Sequence, residues 1–147
     1  MPYLTKPIIA RGAVIDILVG LSAPAIRWVR ESGKPIPQPV RLEALIDTGA
    51  VITCIDHRTI QSLELPITGS VKVAVPRAGG SLTCDQYNVS LELLHPLKTQ
   101  FNLVLPTITV TDAQVRETGA DALIGCDLLR KWQFLFDGPA GTFRLDY

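Results

Sequence analysis

Leu45-Ile46-Asp47-Thr48-Gly49-Ala50 is the stretch on which the reading of this chain turns. An apolar strand signal, Val40 to Ile46, runs straight into an ionisable residue and a glycine, and apolar residues resume at Ala50, Val51 and Ile52. Asp, Thr and Gly are all turn formers, so the plain alternative is a surface hairpin tip. Such a tip normally sits between polar flanks, whereas here Ile46 and Ala50 to Ile52 wall the tripeptide in. A carboxylate among apolar residues is costly unless it is hydrogen-bonded or protonated, which makes Asp47 the first candidate for chemistry.

Outward from that stretch, strand signals dominate in short units punctuated by Gly and Pro. Ala13 to Leu21 is a β-branched run, and the segment between it and Val40, Ser22 to Pro39, holds Pro24, Pro35, Pro37 and Pro39. Prolines cannot sustain ladder hydrogen bonds, so residues 22–39 are expected to form a long loop whose cations Arg27, Arg30 and Lys34 face solvent. Downstream, Val51 to Ile55 reads as a strand, and Asp56 can cap a short helix carrying Ile60 and Leu63, stopped before Pro66. Val71, Val73 and Val75 alternate with Lys72 and Ala74; Tyr87, Val89, Leu91 and Leu93 alternate with Asn88, Ser90 and Glu92. These predict two half-buried strands of a hairpin over about residues 71–93, with Pro76, Gly79 and Gly80 at a flexible tip. Phe101 to Leu105 and Thr107 to Val110 add strands, Ala122 to Ile124 a buried one, and Asp127 to Lys131 a helical turn or two with Asp127 as its cap. Trp132, Phe134 and Phe136, the turn Asp137-Gly138-Pro139-Ala140-Gly141, and Phe143, Leu145 and Tyr147 predict a terminal hairpin. No repeat, low-complexity tract or boundary divides residues 1–147, which read as a single domain.

Composition narrows the function classes. The 147 residues are 47% apolar, ample for one core, and Lys plus Arg equals Asp plus Glu at 14 each. With no long-range field, neither nucleic acid nor an anionic membrane is expected as a main partner. No apolar run is long enough to span a bilayer and none reads as a secretion leader, so the expected location is cytoplasmic. Cys54, Cys84 and Cys126 are odd in number and share no tight spacing, which suits a reducing compartment.

A second stretch, Ala122-Leu123-Ile124-Gly125-Cys126-Asp127-Leu128-Leu129, runs strand, glycine, helix. With Leu45 to Ala50 before it and a glycine-bearing hairpin between, the chain resembles the retropepsin-like, or retroviral-type, aspartic proteases, in the family's order from about Ala13 onward. The resemblance implies an all-β, closed-barrel-like acid protease fold with one or two short helices, acting as an aspartic endopeptidase on peptide or protein substrates without cofactor or metal. It implies a catalytic Asp47 supported by Thr48, Gly49 and Ala50, with Thr48 bonding across a dimer axis and the Gly49 N–H supporting the carboxylate. It further implies a substrate-covering flap whose tip includes Arg77, Ala78, Gly79 and Gly80. One such motif per chain requires a symmetric homodimer. Many viral members place an Asp two residues after the motif glycine and an Arg after the second glycine, and these pair; here Val51 and Cys126 stand there, so the brace must become an apolar contact.

Rival readings are thinner. Cys54 and His57 are half a metal site without a second half, Cys54 lies in an apolar run unsuited to a nucleophile, and no helix follows Gly79-Gly80 to bind phosphate with Arg77. The alternative from another class is a protease-fold domain that is catalytically silent and serves dimerisation or peptide binding.

Overall fold

The computed structural model describes residues 1–75 and 79–147. The β-branched and alternating runs form β1 (Tyr3–Pro7), β2 (Val14–Leu21), β3 (Val40–Ile46), β4 (Cys54–Asp56), β5 (Gly69–Val75), β6 (Gly80–Leu93), β7 (Leu103–Ala113), β8 (Ala122–Ile124), β9 (Gln133–Asp137) and β10 (Thr142–Asp146). Period-two patterning decides which side of each strand faces in: Ile15, Ile17 and Val19 of β2 and Val89, Leu91 and Leu93 of β6 are fully buried. Each such side chain contributes about 1.5–3 kcal/mol through burial.

The strands pair in the order β2-β3-β8-β4-β7-β6, and β6 pairs again with β2, so six strands close on themselves. The core fills this barrel, with Leu42, Ala44, Ile55, Val110 and Ile124 added from its other walls. β5 stays outside the closure and pairs only with β6, in the register Gly69↔Gln86 to Val75↔Gly80. β1, β10 and β9 form a separate three-stranded sheet.

The largest correction concerns residues 22–39, expected as loop throughout. Ala23–Glu31 is a helix, α1, whose N-cap Ser22 accepts a hydrogen bond from the Ala25 N–H at 3.4 Å. Pro24 falls in the first turn, where a missing N–H breaks no helical bond, so it does not act as a breaker there. Only beyond Gly33 (φ +68°) does the chain run without regular structure to Val40. The strand expected from Val51 begins only at Cys54, since residues 51–53 bend around the Asp47 loop. The two strands expected over 101–110 are one. Phe101 ends a short 3-10 turn, and β7 continues through Pro106 because the register with β6 shifts between Val89 and Leu91, a bulge that spares proline a ladder bond.

The helix expected after Asp56 is α2 (His57–Ser62), with the Asp56 carboxylate accepting from the Arg58 N–H at 3.1 Å and Ile60 and Leu63 buried. A last helix, α3 (Cys126–Leu129), follows β8. No helix among the described residues is long and apolar enough to cross a membrane.

Candidate active site

β3 ends at buried Ile46, whose N–H bonds the Ala13 carbonyl, and the next residue, Asp47, donates its N–H to the Ile124 carbonyl of β8 at 3.0 Å. The chain then turns: the Ala50 N–H reaches back to the Asp47 carbonyl at 3.2 Å, and the Gly49 N–H donates to Asp47 Oδ1 at 2.8 Å. The turn's own backbone thus supplies a donor that orients the carboxylate. A Cβ at position 49 would lie 3.2 Å from that same oxygen, a tight contact that glycine avoids.

The second motif braces this turn from behind. The Cys126 and Asp127 N–H groups donate to the Ala50 and Val51 carbonyls at 2.8 and 3.1 Å. Such closeness demands glycine at position 125, where a Cβ would stand 2.6 Å from the Ile52 carbonyl carbon. At the centre sits Thr53, fully buried: its hydroxyl donates to Asp127 Oδ1 at 2.8 Å and accepts from the Gly125 N–H at 3.1 Å, and its own N–H reaches the same Asp127 oxygen at 3.0 Å. Asp127 is therefore not the helix cap expected of it. Gly125 holds the N-cap position with no side-chain bond, and the Asp127 carboxylate turns to Thr53 because that buried residue offers it two donors. Sequence reasoning missed Thr53 altogether; a lone hydroxyl inside the apolar run Val51 to Ile55 was the available signal.

Cys126 Sγ donates to the Thr48 carbonyl at 3.3 Å, a weak neutral contact where many viral members carry an ion pair. Val51, in the other half of that place, is 69% exposed. In the single chain Asp47 is half-buried, with Thr48 and Gly49 exposed, so the expected apolar wall stands on the Ile46 side and is open on the Val51 side. An open cavity of about 510 Å³ is lined by Asp47 and Thr48 together with Arg11, Leu45, Phe134 and Phe136.

Beside the turn, burial pushes the Cys54 thiol up, and neighbouring Cys84, Asp127 and Asp47 push the same way against a lowering bond from Thr111. A buried, protonated thiol is a poor nucleophile. His57 turns away from Cys54 and pairs with Asp112 at 2.6 Å. Among the described residues no group of three or more His, Cys, Asp or Glu side chains is arranged to hold a metal. At the hairpin, Gly79 adopts φ +64°, a left-handed conformation suited to glycine, and Gly80 opens β6. Arg77 and Ala78 lie outside the described residues.

The family model for retroviral aspartyl protease matches residues 22–136, more than half of the chain and both motifs with the hairpin between them. The chain belongs to the retroviral aspartyl protease family. Among solved structures, this family member is similar to a retropepsin-like aspartic protease from Rickettsia conorii at 14% identity and a TM-score of 0.56, covering 99% of this chain and 91% of that one. A weaker likeness, TM-score 0.40 and 14% identity, is to the retroviral protease-like domain of Ddi1 from Leishmania major, covering 85% and 82% of the two chains. At such identity the first likeness shows the fold, a mostly-β retropepsin-like barrel. No curated protein sequence matches this aspartyl protease relative significantly.

Proposed function

We propose that the protein is an aspartic endopeptidase that works as a symmetric homodimer, each chain contributing one Asp47. The observation that carries this reading is the Asp47 turn: a carboxylate oriented by the Gly49 N–H, half-exposed, on a cavity wall that a second chain is free to complete.

Peptide hydrolysis by carboxylates needs two of them, one to take a proton from water and one, protonated, to polarise the scissile carbonyl. One chain supplies one such turn, so a two-fold contact supplies the other. Two facing carboxyls resist double ionisation and share a proton, an arrangement for which aspartic proteases are the standard example. The ionised Asp47 accepts a proton from water as its oxygen bonds the carbonyl carbon, the partner's carboxyl donates to the carbonyl oxygen, and the tetrahedral intermediate collapses as the amine leaves with a proton. Thr48 holds the two turns together across the axis, and Ala50 closes each turn. The hairpin β5–β6, with Gly79 and Gly80 at its tip, covers an extended peptide held by strand-like hydrogen bonds.

Peptide-library digestion with wild type and Asp47→Asn side by side tests this. Endoproteolytic cleavage by wild type alone is expected. Equal cleavage by both would remove Asp47 from the chemistry, and no cleavage by either would favour a silent, peptide-binding dimer.

A further inference from the structure

Just beyond the end of β6, His95 has both of its ring nitrogens engaged by backbone groups. Nε2 lies 3.1 Å from the Tyr3 carbonyl of β1. Nδ1 lies 3.1 and 3.0 Å from the backbone nitrogens of Leu97 and Lys98. A backbone N–H can only donate, so Nδ1 accepts both bonds and the ring proton sits on Nε2, from which it is donated to Tyr3. One neutral imidazole thus closes the turn of residues 96–98 on one side and fastens it to β1 on the other.

The rest of the loop is built around that ring. The His95 N–H donates to Asn102 Oδ1 at 2.9 Å, the ring meets Phe101 in a T-shaped contact at 5.6 Å, and the Tyr147 hydroxyl donates to the Phe101 carbonyl at 2.9 Å. His95, Leu97 and Lys98 line an open cavity of about 800 Å³ together with Pro2, Tyr3 and Phe101. Two cations stand over its aromatic rings, Lys98 over Phe101 and Arg144 over Tyr3. The acids on the elements around the loop are engaged elsewhere. Asp146 of β10 accepts from Arg144 at 2.8 and 2.6 Å, Glu92 of β6 accepts from the Asn102 side chain at 2.8 Å, and Asp16 of β2 pairs with Lys6 at 3.3 Å.

We infer that His95 is an acid-released latch: neutral, it holds the turn of residues 96–98 closed beside β1, and protonated, it lets that turn go. A second ring proton must sit on Nδ1, where it points at two N–H donors and abolishes both bonds; the Nε2 bond to Tyr3 survives. Leu97 and Lys98 then leave the cavity wall while the ring stays on β1. The stability that the two Nδ1 bonds contribute is therefore present while the imidazole is neutral and is lost as pH falls through its protonation. The opening is local, because Leu91 and Leu93 of β6 remain buried in the barrel. This inference goes beyond the peptidase reading and holds whether or not the chain cuts peptides.

The chain has two histidines, His57 and His95, so their effects can be separated. Amide exchange of Leu97 and Lys98, corrected for its intrinsic pH dependence, is measured from about pH 7.5 to about pH 5 in wild type, His95→Gln and His57→Gln, with ring nitrogen shifts recorded on the same samples. In wild type and His57→Gln, protection of both amides should fall at least about tenfold as the His95 ring gains its second proton. In His95→Gln, protection should not change with pH. Constant protection in wild type across the range, or an equal acid-dependent loss in His95→Gln, would overturn the latch. If His95→Gln does not fold, wild type and His57→Gln decide alone: the inference requires ring protonation and amide release to coincide in both, and amides released without protonation of the His95 ring would contradict it.

Discussion

Thr53 is where the two motifs meet, and its hydroxyl is a single group with two tasks. Replacing it with the near-isosteric valine leaves the Gly125 N–H without its partner in a buried setting and takes from Asp127 Oδ1 one of its two donors, the backbone N–H of residue 53 remaining, at a cost of about 1–3 kcal/mol. Thr53→Ser keeps both bonds and gives up one methyl group, about 1 kcal/mol. Denaturant melts should rank the proteins wild type, serine, valine, and peptidase rate should follow that order because Asp127 and Gly125 brace the Asp47 turn. Valine matching wild type would show that the hydroxyl is idle. For Cys54, raised chiefly by burial, iodoacetamide near pH 8 should react at least about tenfold more slowly than with a free thiol, as read by peptide mass. Asp47, Gly49 and Gly125 were legible in the sequence because an acid or a glycine inside an apolar run violates local expectation. Thr53 and the true partner of Asp127 were not: their bond joins residues 74 apart, and a threonine within a strand-like run raises no alarm.

The hairpin shows how an element can be two things along its length. From Gln86 to Leu93, β6 is held in the barrel by β7 and β2, whereas from Gly80 to Asp85 it pairs with β5 alone. Two-stranded ribbons are marginal by themselves, so amides of residues 80–85 should exchange faster than those of residues 87–93, and their protection should rise with a bound peptide mimic. Equal protection along β6 in both states would argue against a flap. The connection behind the turn is the opposite case, packed to its limit. Gly125→Ala sets a Cβ against the Ile52 and Thr53 backbone, which has no rotamer with which to yield, and should cost about 1–3 kcal/mol or more by thermal melting. The alternating strands and α2 were legible because period two and a capping Asp are local signals. α1 was obscured because proline was read as a breaker without regard to position, and the unbroken β7 because a bulge that shelters Pro106 depends on the partner strand.

For the whole molecule, sequence order alone placed the Asp47 turn, the hairpin and the second motif in one barrel, because each is a local pattern and the topology follows from their succession. That β9 pairs only with β10 among the described residues was not legible, since the terminal hairpin reads the same whether its outer strand is covered or open. Barrel closure leaves a chain with one oriented carboxylate on an open cavity, which the proposed second copy completes. The central claim, that catalysis needs one Asp47 from each of two chains, is tested most directly by mixing wild-type and Asp47→Asn chains at fixed total concentration and allowing subunits to exchange before peptide cleavage is measured. Asparagine keeps the shape of the turn and removes its acid-base function, so only dimers of two wild-type chains cut. The rate should therefore fall as the square of the wild-type fraction, to about one quarter at an equal mixture. A linear fall, to about one half, would mean that a single Asp47 suffices and would contradict the account.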